Sequence, residues 1–398
     1  MKQRVLLVNK FYYRRGGDCV YLLNLEKILR DNGHEVAVYA MDYPHNITSE
    51  WSDYFASEIS FQGGPIHKLM AAGRALGLGD INKSFNAMLD KFRPDVVHFN
   101  NIHSYLSPRI VQLAHRRAIR TVWTMHDYKL LCPSYSCLHD GKICESCIGR
   151  DKKYVLKNRC MKGSLAASVI AMIEAGRWKR NTLTECTDTF ICPSEFIASK
   201  MRQDGFPDDK IVTLNNFIDP AIDVSTRIFS QKRDDYYVYI GRLSEEKGVE
   251  TLLKAAASLP YNLKIAGDGP LADTLHKKYA CHDNIEFLGH IGGKEVNELL
   301  SASRFAVVPS EWYENNPLSI IESLCAGTPV LGAETGGIPE LITAENGMTF
   351  PSADIVSLIS AIENMWNSSF DYEAISRNAT CRFNPERYYM AINKIYTK

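Results

Sequence analysis

Two glutamates, Glu314 and Glu322, stand eight positions apart in the stretch YENNPLSIIESLCAG. Carboxylates accept hydrogen bonds, so such a pair can hold the hydroxyl groups of a ligand. If both side chains belonged to one helix, they would lie about 80° apart around its axis. Pro317 instead suits a helix start and disfavours a helical residue before it. The pattern therefore predicts Glu314 in a loop and Glu322 in the second turn of the following helix.

The backbone between the glutamates adds a second kind of binding group. If a helix begins near Pro317, the amides of Ser319 and its neighbours lack intrahelical partners, and such helix starts attract anions such as phosphate. The segment then suits a ligand that carries both hydroxyls and phosphates. An amphipathic helix with Glu322 on its wet face explains the same residues, because glutamate is rarely buried unless it is paired.

Two cations that suit phosphate lie in the stretch IGRLSEEKG. Arg242 ends a predicted strand, and Lys247 stands at the start of the next helix. A cation at each place can clamp a diphosphate, whose two phosphates need neutralising in a partly dry site. The alternative interpretation is a solvated loop.

Weaker signals follow two strands in the first half of the chain. Gly16 and Gly17 come after the first predicted strand, where glycine permits close backbone approach to a ligand, although an ordinary turn has the same composition. His126 ends a later strand beside Asp127, a carboxylate that can orient an imidazole. A structural histidine is the alternative there.

The elements that must position these residues are strands and helices in alternation. The candidate strands are RVLLVN, EVAVYAM, DVVHFN, RTVWTM and TFICPS, followed after a restart near Asp234 by YYVYIGR, NLKIAG, NIEFLG, FAVVPS and TPVLGA. Alternation of this kind predicts parallel sheets covered on both faces, and the restart predicts two of them joined by a linker at about 205–235. Ligands of open parallel sheets bind beyond the carboxyl ends of the strands, so we expect the site in a cleft between the sheets.

The motifs, taken in order, resemble those of GT-B glycosyltransferases of family GT4. The resemblance rests on GGD, TMHDY, YIGRLSEEKG, IAGDGP, FLGHI and VVPSEWYENNPLSIIESLCAGTPVLGAETGGIPELI, and it covers nearly the full chain. It implies an α/β protein of GT-B fold, with two Rossmann-like, doubly wound parallel-sheet domains facing each other across a cleft. The implied domains are an N-terminal acceptor-side domain over 1–205 with a Cys-rich insert at about 132–160, a C-terminal nucleotide-sugar-binding domain over 206–380, and a C-terminal helix over 381–398 that could cross back to the N-terminal domain.

The same resemblance gives the second-half residues their expected roles. Glu322 would accept hydrogen bonds from the ribose of a nucleotide-sugar donor, and Glu314 would contact the donor sugar. Arg242 and Lys247 would stabilise the charge that grows on the leaving diphosphate. Their presence replaces a metal ion, so no catalytic metal is expected. The remaining donor-binding positions, which border the diphosphate, are Asn316, Pro317, Leu318 and Ser319.

In the first half, the resemblance places His126 beside the donor sugar and turns Gly16 and Gly17 toward phosphate and acceptor. It implies a retaining glycosyltransferase that moves a sugar onto a lipid-linked or oligosaccharide acceptor in surface polysaccharide biosynthesis. The alternatives are a phosphorylase or sugar-nucleotide epimerase of the same fold, and a non-catalytic nucleotide-sugar sensor. A phosphorylase should show a pyridoxal-phosphate lysine, which we do not identify, and a sensor should have lost its cation pair or its glutamate pair, both of which are intact.

Composition narrows the class of protein further. The 398 residues carry no net charge, but residues 1–210 hold a net charge of +8 and residues 211–398 a net charge of −8. A basic half favours an anionic partner, either a membrane surface or a phosphorylated ligand, and no basic block interleaved with aromatics points to nucleic acid. No apolar run approaches the roughly 20 residues of a membrane span, and the N-terminal apolar run is too short for a signal peptide. We therefore expect a cytoplasmic protein.

A cysteine-rich segment follows His126 directly. Cys132, Cys137, Cys144 and Cys147 have spacings of four, six and two intervening residues, which fall within the range of a structural zinc site. Free thiols and disulfides are the alternatives.

An apolar helix is predicted at about 164–175, between two groups of basic residues. A basic amphipathic segment can lie on an anionic membrane surface, and the basic first half supports a peripheral location at the inner face of the membrane. A core helix with solvated ends is the alternative.

Overall fold

The computed structural model describes residues 2–61, 63–221 and 233–398. Its strands are β1 (Arg4–Val8), β2 (Glu35–Tyr39), β3 (Val96–Phe99), β4 (Arg120–Thr124), β5 (Leu138–His139), β6 (Lys142–Ile143), β7 (Thr189–Cys192), β8 (Ile211–Thr213), β9 (Tyr236–Ile240), β10 (Asn262–Ala266), β11 (Ile285–Gly289), β12 (Ala306–Val308), β13 (Val330–Ala333) and β14 (Gly347–Phe350).

Helices connect nearly all of these strands. They are α1 (Gly17–Asp31), α2 (Pro65–Ala75), α3 (Ile81–Phe92), α4 (Arg109–His115), α5 (Tyr154–Lys157), α6 (Leu165–Arg177), α7 (Arg180–Cys186), α8 (Glu195–Asp204), α9 (Val249–Ala256), α10 (Ala272–Tyr279), α11 (Gly293–Ala302), α12 (Leu318–Cys325), α13 (Ile355–Asn367), α14 (Tyr372–Arg382) and α15 (Pro385–Thr397).

The chain forms two compact units, each built on a six-stranded parallel sheet. The first unit comprises Met1–His139, Cys144–Asn215 and Tyr388–Lys398, and the second comprises Asp140–Ile143 and Asn216–Arg387. The strand order is β2-β1-β3-β4-β7-β8 in the first sheet and β11-β10-β9-β12-β13-β14 in the second. Both sheets are therefore of the doubly wound, Rossmann-like kind, with a point at which the strand order reverses beside β1 in the first and beside β9 in the second.

Burial of continuous apolar strands stabilises each sheet. Val5, Leu6, Leu7 and Val8 of β1 are fully buried, as are Val238 of β9 and other central positions of the second sheet. Strands buried on both faces read as unbroken apolar runs rather than as alternating ones, which is why these segments could be recognised in the sequence. Each such side chain contributes about 1.5–3 kcal/mol through burial.

The predicted linker at about 205–235 begins too early. Ile211–Thr213 form β8, which pairs in parallel with β7, so the first sheet continues to this point and the first unit to Asn215. Residues 222–232 of the predicted linker lie outside the described residues. The short strand β14 was also missed, because GMTF lacks the run of β-branched residues that marked the others.

The last helix joins the first unit through buried polar contacts. Residues Tyr388–Lys398 belong to this unit. The hydroxyl of Tyr388 hydrogen-bonds to that of Tyr21, and the hydroxyl of Tyr396 lies 2.6 Å from Nδ1 of His98. Nε2 of His98 in turn lies 2.7 Å from Oγ1 of Thr124, so α15 is tied to β3 and β4 as well as to α1.

Candidate functional site

In the second unit, the predicted residues gather at the reversal point of the sheet. β9 and β12 are neighbours there, and the loops that follow them carry Arg242 with Lys247 and Glu314 respectively. Crevices for ligands open at this point in doubly wound sheets because adjacent connections leave in opposite directions.

Lys247 and Glu314 form an ion pair across these two loops. The Lys247 Nζ atom lies 2.6 Å from Glu314 Oε1, and the Ser310 hydroxyl donates to the same oxygen at 2.7 Å. The side chain of Glu314 is only 8% exposed. Burial by itself raises the pKa of this carboxyl, but the Lys247 ammonium and the hydrogen bonds from Lys247, Trp312 and Ser310 together outweigh burial, and the pKa of Glu314 lies below its ordinary value. Glu314 is therefore an ionised acceptor held in one orientation.

Two glycines let the loops approach this closely. Gly248 has φ +66°, and a Cβ there would lie 1.9 Å from the carbonyl oxygen of Pro309. Gly336 has φ +59°, and a Cβ there would lie 2.0 Å from the carbonyl oxygen of Glu314. The next amide, that of Gly337, donates to the same carbonyl at 2.7 Å. Any larger residue at either position would push the Lys247 and Glu314 loops apart.

The Arg242 side chain, unlike that of Lys247, is available to bind an anionic ligand. Its side chain is exposed, and within the described ranges it makes no ion pair. Its backbone is fixed instead, since the Tyr239 hydroxyl donates to the Arg242 carbonyl oxygen at 2.8 Å. The guanidinium is thus free to meet an anion, whereas the Lys247 ammonium already holds one carboxylate.

The helix after Glu314 begins as the sequence predicted, with one difference. Pro317 occupies the N-cap position of α12 and is not part of its first turn. The first hydrogen bond of the helix runs from the Ile320 amide to the Pro317 carbonyl oxygen at 3.2 Å, so the amides of Leu318 and Ser319 come before it in the chain. Glu322 lies in the second turn and is half-buried, which places its carboxylate neither in the core nor wholly in solvent.

Asn316 has a structural role that the sequence did not reveal. Its Oδ1 atom accepts from the Asn216 amide at 2.7 Å, and its carbonyl oxygen accepts from Asn216 Nδ2 at 2.8 Å. The side chain is 4% exposed. Asn316 therefore fixes the start of α12 against Asn216, the first residue of the unit's main segment, and its side-chain oxygen is already occupied.

In the first unit, His126 is held by Asn100 and not by its neighbour Asp127. Nε2 of His126 lies 3.0 Å from Asn100 Oδ1, and Asn100 Nδ2 donates to the Val8 carbonyl, so the ring carries its proton on Nε2. The ring packs edge-on against Tyr21 at 4.7 Å between centroids. Burial lowers the pKa of His126 to about 4, so at neutral pH the ring is uncharged and its Nδ1 can accept a hydrogen bond.

Asp127, which the sequence allowed as a partner of His126, has other partners. Asp127 Oδ1 accepts from the Lys129 amide at 2.9 Å and lies 3.8 Å from Nε2 of His103.

Gly16 and Gly17 lie where predicted, at the start of α1, and both are exposed. Gly17 has open space where a Cβ would stand, so its amide can be approached.

The structure does not support the predicted zinc site at Cys132, Cys137, Cys144 and Cys147. Across the residues that the structure describes, no three His, Cys, Asp or Glu side chains are grouped so that they could hold a metal ion, and all four thiols are free. Cys137 hydrogen-bonds to Cys132 and lowers the pKa of that thiol to about 6, while Cys144 lies 3.4 Å from the Ser146 hydroxyl. The thiols lie close enough to influence one another, since Cys132 and Cys144 both act on Cys137 and on Cys147, but among the described residues they do not form a group that could hold a metal ion.

The predicted apolar helix corresponds to α6, whose N-terminus is capped by Ser164. Leu165 and Ile173 of this helix are about half-exposed, at 52% and 48%. Lys152, one of the basic residues that precede this helix in the chain, is not available to a surface because it pairs with Asp204 at 2.7 Å. No helix in the described part of the chain has both the length and the apolar character that crossing a membrane requires.

Comparison with known families identifies the chain. The model of the family described as Glycosyltransferase Family 4 matches residues 15–222, and that of Glycosyl transferases group 1 matches residues 224–382. The chain therefore belongs to glycosyltransferase family 4, and it is a group 1 glycosyltransferase.

Individual relatives agree with this assignment. An uncharacterized 42.6 kDa protein in the cps region of Klebsiella pneumoniae is 25% identical over 352 residues, which cover 85% of this chain and 87% of that protein. A GDP-mannose-dependent alpha-(1-6)-phosphatidylinositol dimannoside mannosyltransferase of Mycobacterium tuberculosis is 37% identical over 116 residues, 28% of this chain and 30% of that enzyme. The structure of Anabaena Alr3699/HepE in complex with UDP and glucose is 16% identical, with a TM-score of 0.65 and 99% of both chains covered. The predicted GT-B fold is thereby confirmed.

Proposed function

We propose that the chain is a retaining glycosyltransferase that moves a sugar from a nucleotide-sugar donor to a lipid-linked saccharide acceptor in surface polysaccharide assembly. The observation that carries the proposal is the ordered Lys247–Glu314 pair beside the start of α12, with Arg242 exposed on the neighbouring loop. A cation that forms no ion pair with any described residue and a fixed, ionised acceptor are the groups that a sugar diphosphate requires.

The donor would be held through its three chemical parts. Glu322, half-buried in α12, accepts from the ribose hydroxyls, and Glu314 accepts from hydroxyls of the donor sugar. The diphosphate lies against Arg242 and the free amides at the start of α12. This arrangement uses each carboxylate for hydroxyls and each cation for phosphate, which avoids burying like charges together.

Transfer then follows from where charge develops. The bond between the sugar C1 and the diphosphate oxygen breaks, the acceptor hydroxyl oxygen bonds to C1, and its proton passes to the leaving phosphate. Arg242 and the two remaining N–H groups of Lys247 stabilise the diphosphate as its charge grows, which takes the role of a metal ion.

Retention is supported by the state of Glu314. Its carboxylate is bound by Lys247 and Ser310, and a carboxylate with a lowered pKa is a poor nucleophile. Departure and attack on the same face of the sugar therefore suit this site better than a covalent sugar–enzyme intermediate. His126, which is neutral, accepts a hydrogen bond from a donor hydroxyl through Nδ1.

The acceptor and the location are proposed from surface chemistry and from the relatives. One relative lies in a cps region, and another is named for a phosphatidylinositol dimannoside acceptor. Exposed apolar residues on α2, Ile66, Leu69 and Met70, recur at helical spacing, and α6 adds Leu165 and Ile173. Together with the net charge of +8 over residues 1–210, these surfaces suit peripheral binding to an anionic membrane at its cytoplasmic face.

A donor screen tests the proposal. Melting temperature is measured with UDP-, GDP-, ADP- and TDP-sugars, and donors that raise it are then incubated with the protein and isolated membranes. We expect one nucleotide class to stabilise the protein and to yield a lipid-extractable glycoside with the anomeric configuration of the donor. Inversion at C1 would contradict the proposed retaining mechanism.

A further inference from the structure

We infer that a basic cavity in the first unit binds a phosphate or diphosphate group of the acceptor. The cavity has a volume of about 330 Å³ and is formed by the loops after β3 and β4, the cysteine-rich segment, α6 and the ends of α7 and α8. None of its lining residues belongs to the donor motifs. The inference rests on the proposed function, because it names the chemistry of the substrate that the donor sugar reaches.

The charges in the cavity do not balance. Its lining includes five cations and two carboxylates, the cations being Lys129, Arg150, Lys152, Lys179 and Arg180, and the carboxylates Glu174 and Asp204. Both carboxylates are nearly fully buried and already paired, Glu174 with Lys129 at 2.9 Å and Asp204 with Lys152 at 2.7 Å. The remaining cations therefore give the cavity a net positive charge that no acidic residue of its lining neutralises.

The ion pairs Lys129–Glu174 and Lys152–Asp204 hold the walls of the cavity together and are not available to a ligand. Lys152 donates to the carbonyl oxygens of Leu131 and Cys147, at 2.9 and 2.8 Å, as well as to Asp204, which uses all three of its N–H groups. Glu174 also accepts from the Ser104 hydroxyl through both oxygens. These contacts fix α6 and the cysteine-rich segment in place around the cavity.

The rim of the cavity carries exposed N–H donors that can bind a ligand. Arg150, Lys179 and Arg180 are exposed, and within the described residues Arg150 and Lys179 make no ion pair. Arg180 donates one N–H to the Asp204 carbonyl and keeps its others. A diphosphate offers acceptor oxygens in several directions, which matches donors arriving from separate elements better than a single carboxylate does.

The position of the cavity fits an acceptor. His103, in its lining, lies 3.8 Å from Asp127, the residue next to His126 in the chain. Trp178 forms an apolar wall, and its indole N–H donates to the Ala75 carbonyl at the end of α2 at 2.7 Å. The anionic group of an acceptor would thus sit between the histidine at the predicted sugar position and the helix whose apolar side chains are exposed.

Titration with inorganic pyrophosphate tests the site without knowledge of the acceptor. Calorimetry is performed in an Arg242→Ala background, which weakens binding at the donor motif. We expect binding to weaken about tenfold for Arg150→Ala and again for Lys179→Ala, since each removes a charge-assisted contact. Lys91→Ala, which removes an exposed lysine elsewhere in the same unit, serves as the control and should leave binding unchanged. Equal affinity in the background protein and in the Arg150→Ala/Lys179→Ala protein would overturn the inference.

A second arm distinguishes the sources of the phosphate. Phosphatidylcholine vesicles with and without a polyprenyl diphosphate are tested for binding, and free pyrophosphate is added as the competitor. Binding that needs the lipid diphosphate and is displaced by pyrophosphate assigns the site to a lipid-linked acceptor. Binding of free pyrophosphate without vesicle binding assigns it to a water-soluble phosphorylated acceptor.

The outcomes separate this inference from the proposed function. Nucleotide-sugar binding with unaltered pyrophosphate affinity in the two rim variants would refute the cavity and leave the transferase standing. Loss of pyrophosphate binding in those variants, with no nucleotide sugar bound by the wild-type protein, would support the cavity and refute the transferase. With an active acceptor, the rim variants should raise its KM while leaving acceptor-independent donor hydrolysis unchanged.

Discussion

Replacing Lys247 by alanine should destabilise the second unit, and the loss should depend on pH. The Glu314 side chain is 8% exposed and the Lys247 side chain 25% exposed, so the substitution leaves a nearly buried carboxylate without its cation. Ser310 and Trp312 would still donate to that carboxylate, but neutral donors offset only part of the cost of burying a charge.

The size of the loss follows from the burial of the pair. Breaking a fully buried ion pair by removing one partner costs about 3–5 kcal/mol. Because water reaches a quarter of the Lys247 side chain, we expect about 2–3 kcal/mol at neutral pH. For a unit of this size, that corresponds to a fall in melting temperature of about 4–12 °C.

The direction in which the stability loss changes with pH shows whether the loss comes from the buried Glu314 carboxylate. In the wild type, the folded-state pKa of Glu314 is lowered, so the pair stabilises the protein above the ordinary value of 4.5 and that stability is lost as pH falls through the folded pKa. Without Lys247, burial dominates and the folded pKa rises above the unfolded one. The variant is then destabilised at neutral pH, and the deficit shrinks as pH falls and Glu314 takes up a proton.

Thermal melts across this pH range, with wild type, Lys247→Ala and Arg242→Ala compared side by side, measure the effect. Arg242→Ala is the matched control because it removes an exposed cation from the same loop and should change stability by less than about 0.5 kcal/mol. If Lys247→Ala melts like Arg242→Ala at neutral pH, the ion pair does not stabilise the unit and the reasoning fails.

Further predictions concern binding, turnover and metal content. Arg242→Ala should lower kcat by about 10²- to 10³-fold, as for loss of a donor to developing charge, and near wild-type turnover would exclude the role. Glu322→Gln should weaken nucleoside diphosphate binding about 10- to 150-fold by calorimetry, with melting temperature level or higher; the opposite pattern would make Glu322 structural. The His126 ring should titrate near pH 4 by nuclear magnetic resonance, its signal assigned with His126→Gln, and a midpoint near 6.5 would contradict the buried, Asn100-bound ring. Elemental analysis of protein purified without added metal should find far less than one zinc per chain, and about one per chain would restore the four-cysteine site.

The sequence was most informative about the sheets, for a physical reason. Strands such as β1 and β9 are buried on both faces, so their apolar runs stand out from the helices between them. β8 escaped recognition because its three residues run from buried Ile211 to exposed Thr213 and follow a polar stretch, which resembles a linker.

The contacts within the site could not be predicted because they join residues distant in the chain. Lys247 and Glu314 are brought together only because β9 and β12 are neighbours, and nothing in either loop reveals the other. Ser310 and Asn100, which hold Glu314 and His126, carried no signal of their own in the sequence. The GG of Gly336 and Gly337 was visible, but a glycine pair at a strand end also suits an ordinary turn.

Spacing along the sequence did not determine which side chains meet at two places. Asp127 follows His126, yet the chain bends at Asp127 after β4 has ended, so the aspartate accepts from the Lys129 amide and the histidine meets Asn100. The cysteine spacings permitted zinc, but spacing fixes only how many residues intervene. The backbone decides whether the thiols reach the arrangement that a metal ion needs, and among the described residues they do not.

The most direct test of the transferase account is a transfer assay with the donor that stabilises the protein best, isolated membranes as the source of acceptor, and the sugar radiolabelled. The account predicts that label enters the lipid extract in step with nucleoside diphosphate release. It also predicts that both fall together in the Arg242→Ala protein, whose fold is intact by its melting curve. Release and transfer that are unchanged in Arg242→Ala, or the absence of transfer from every UDP-, GDP-, ADP- and TDP-sugar, would contradict it.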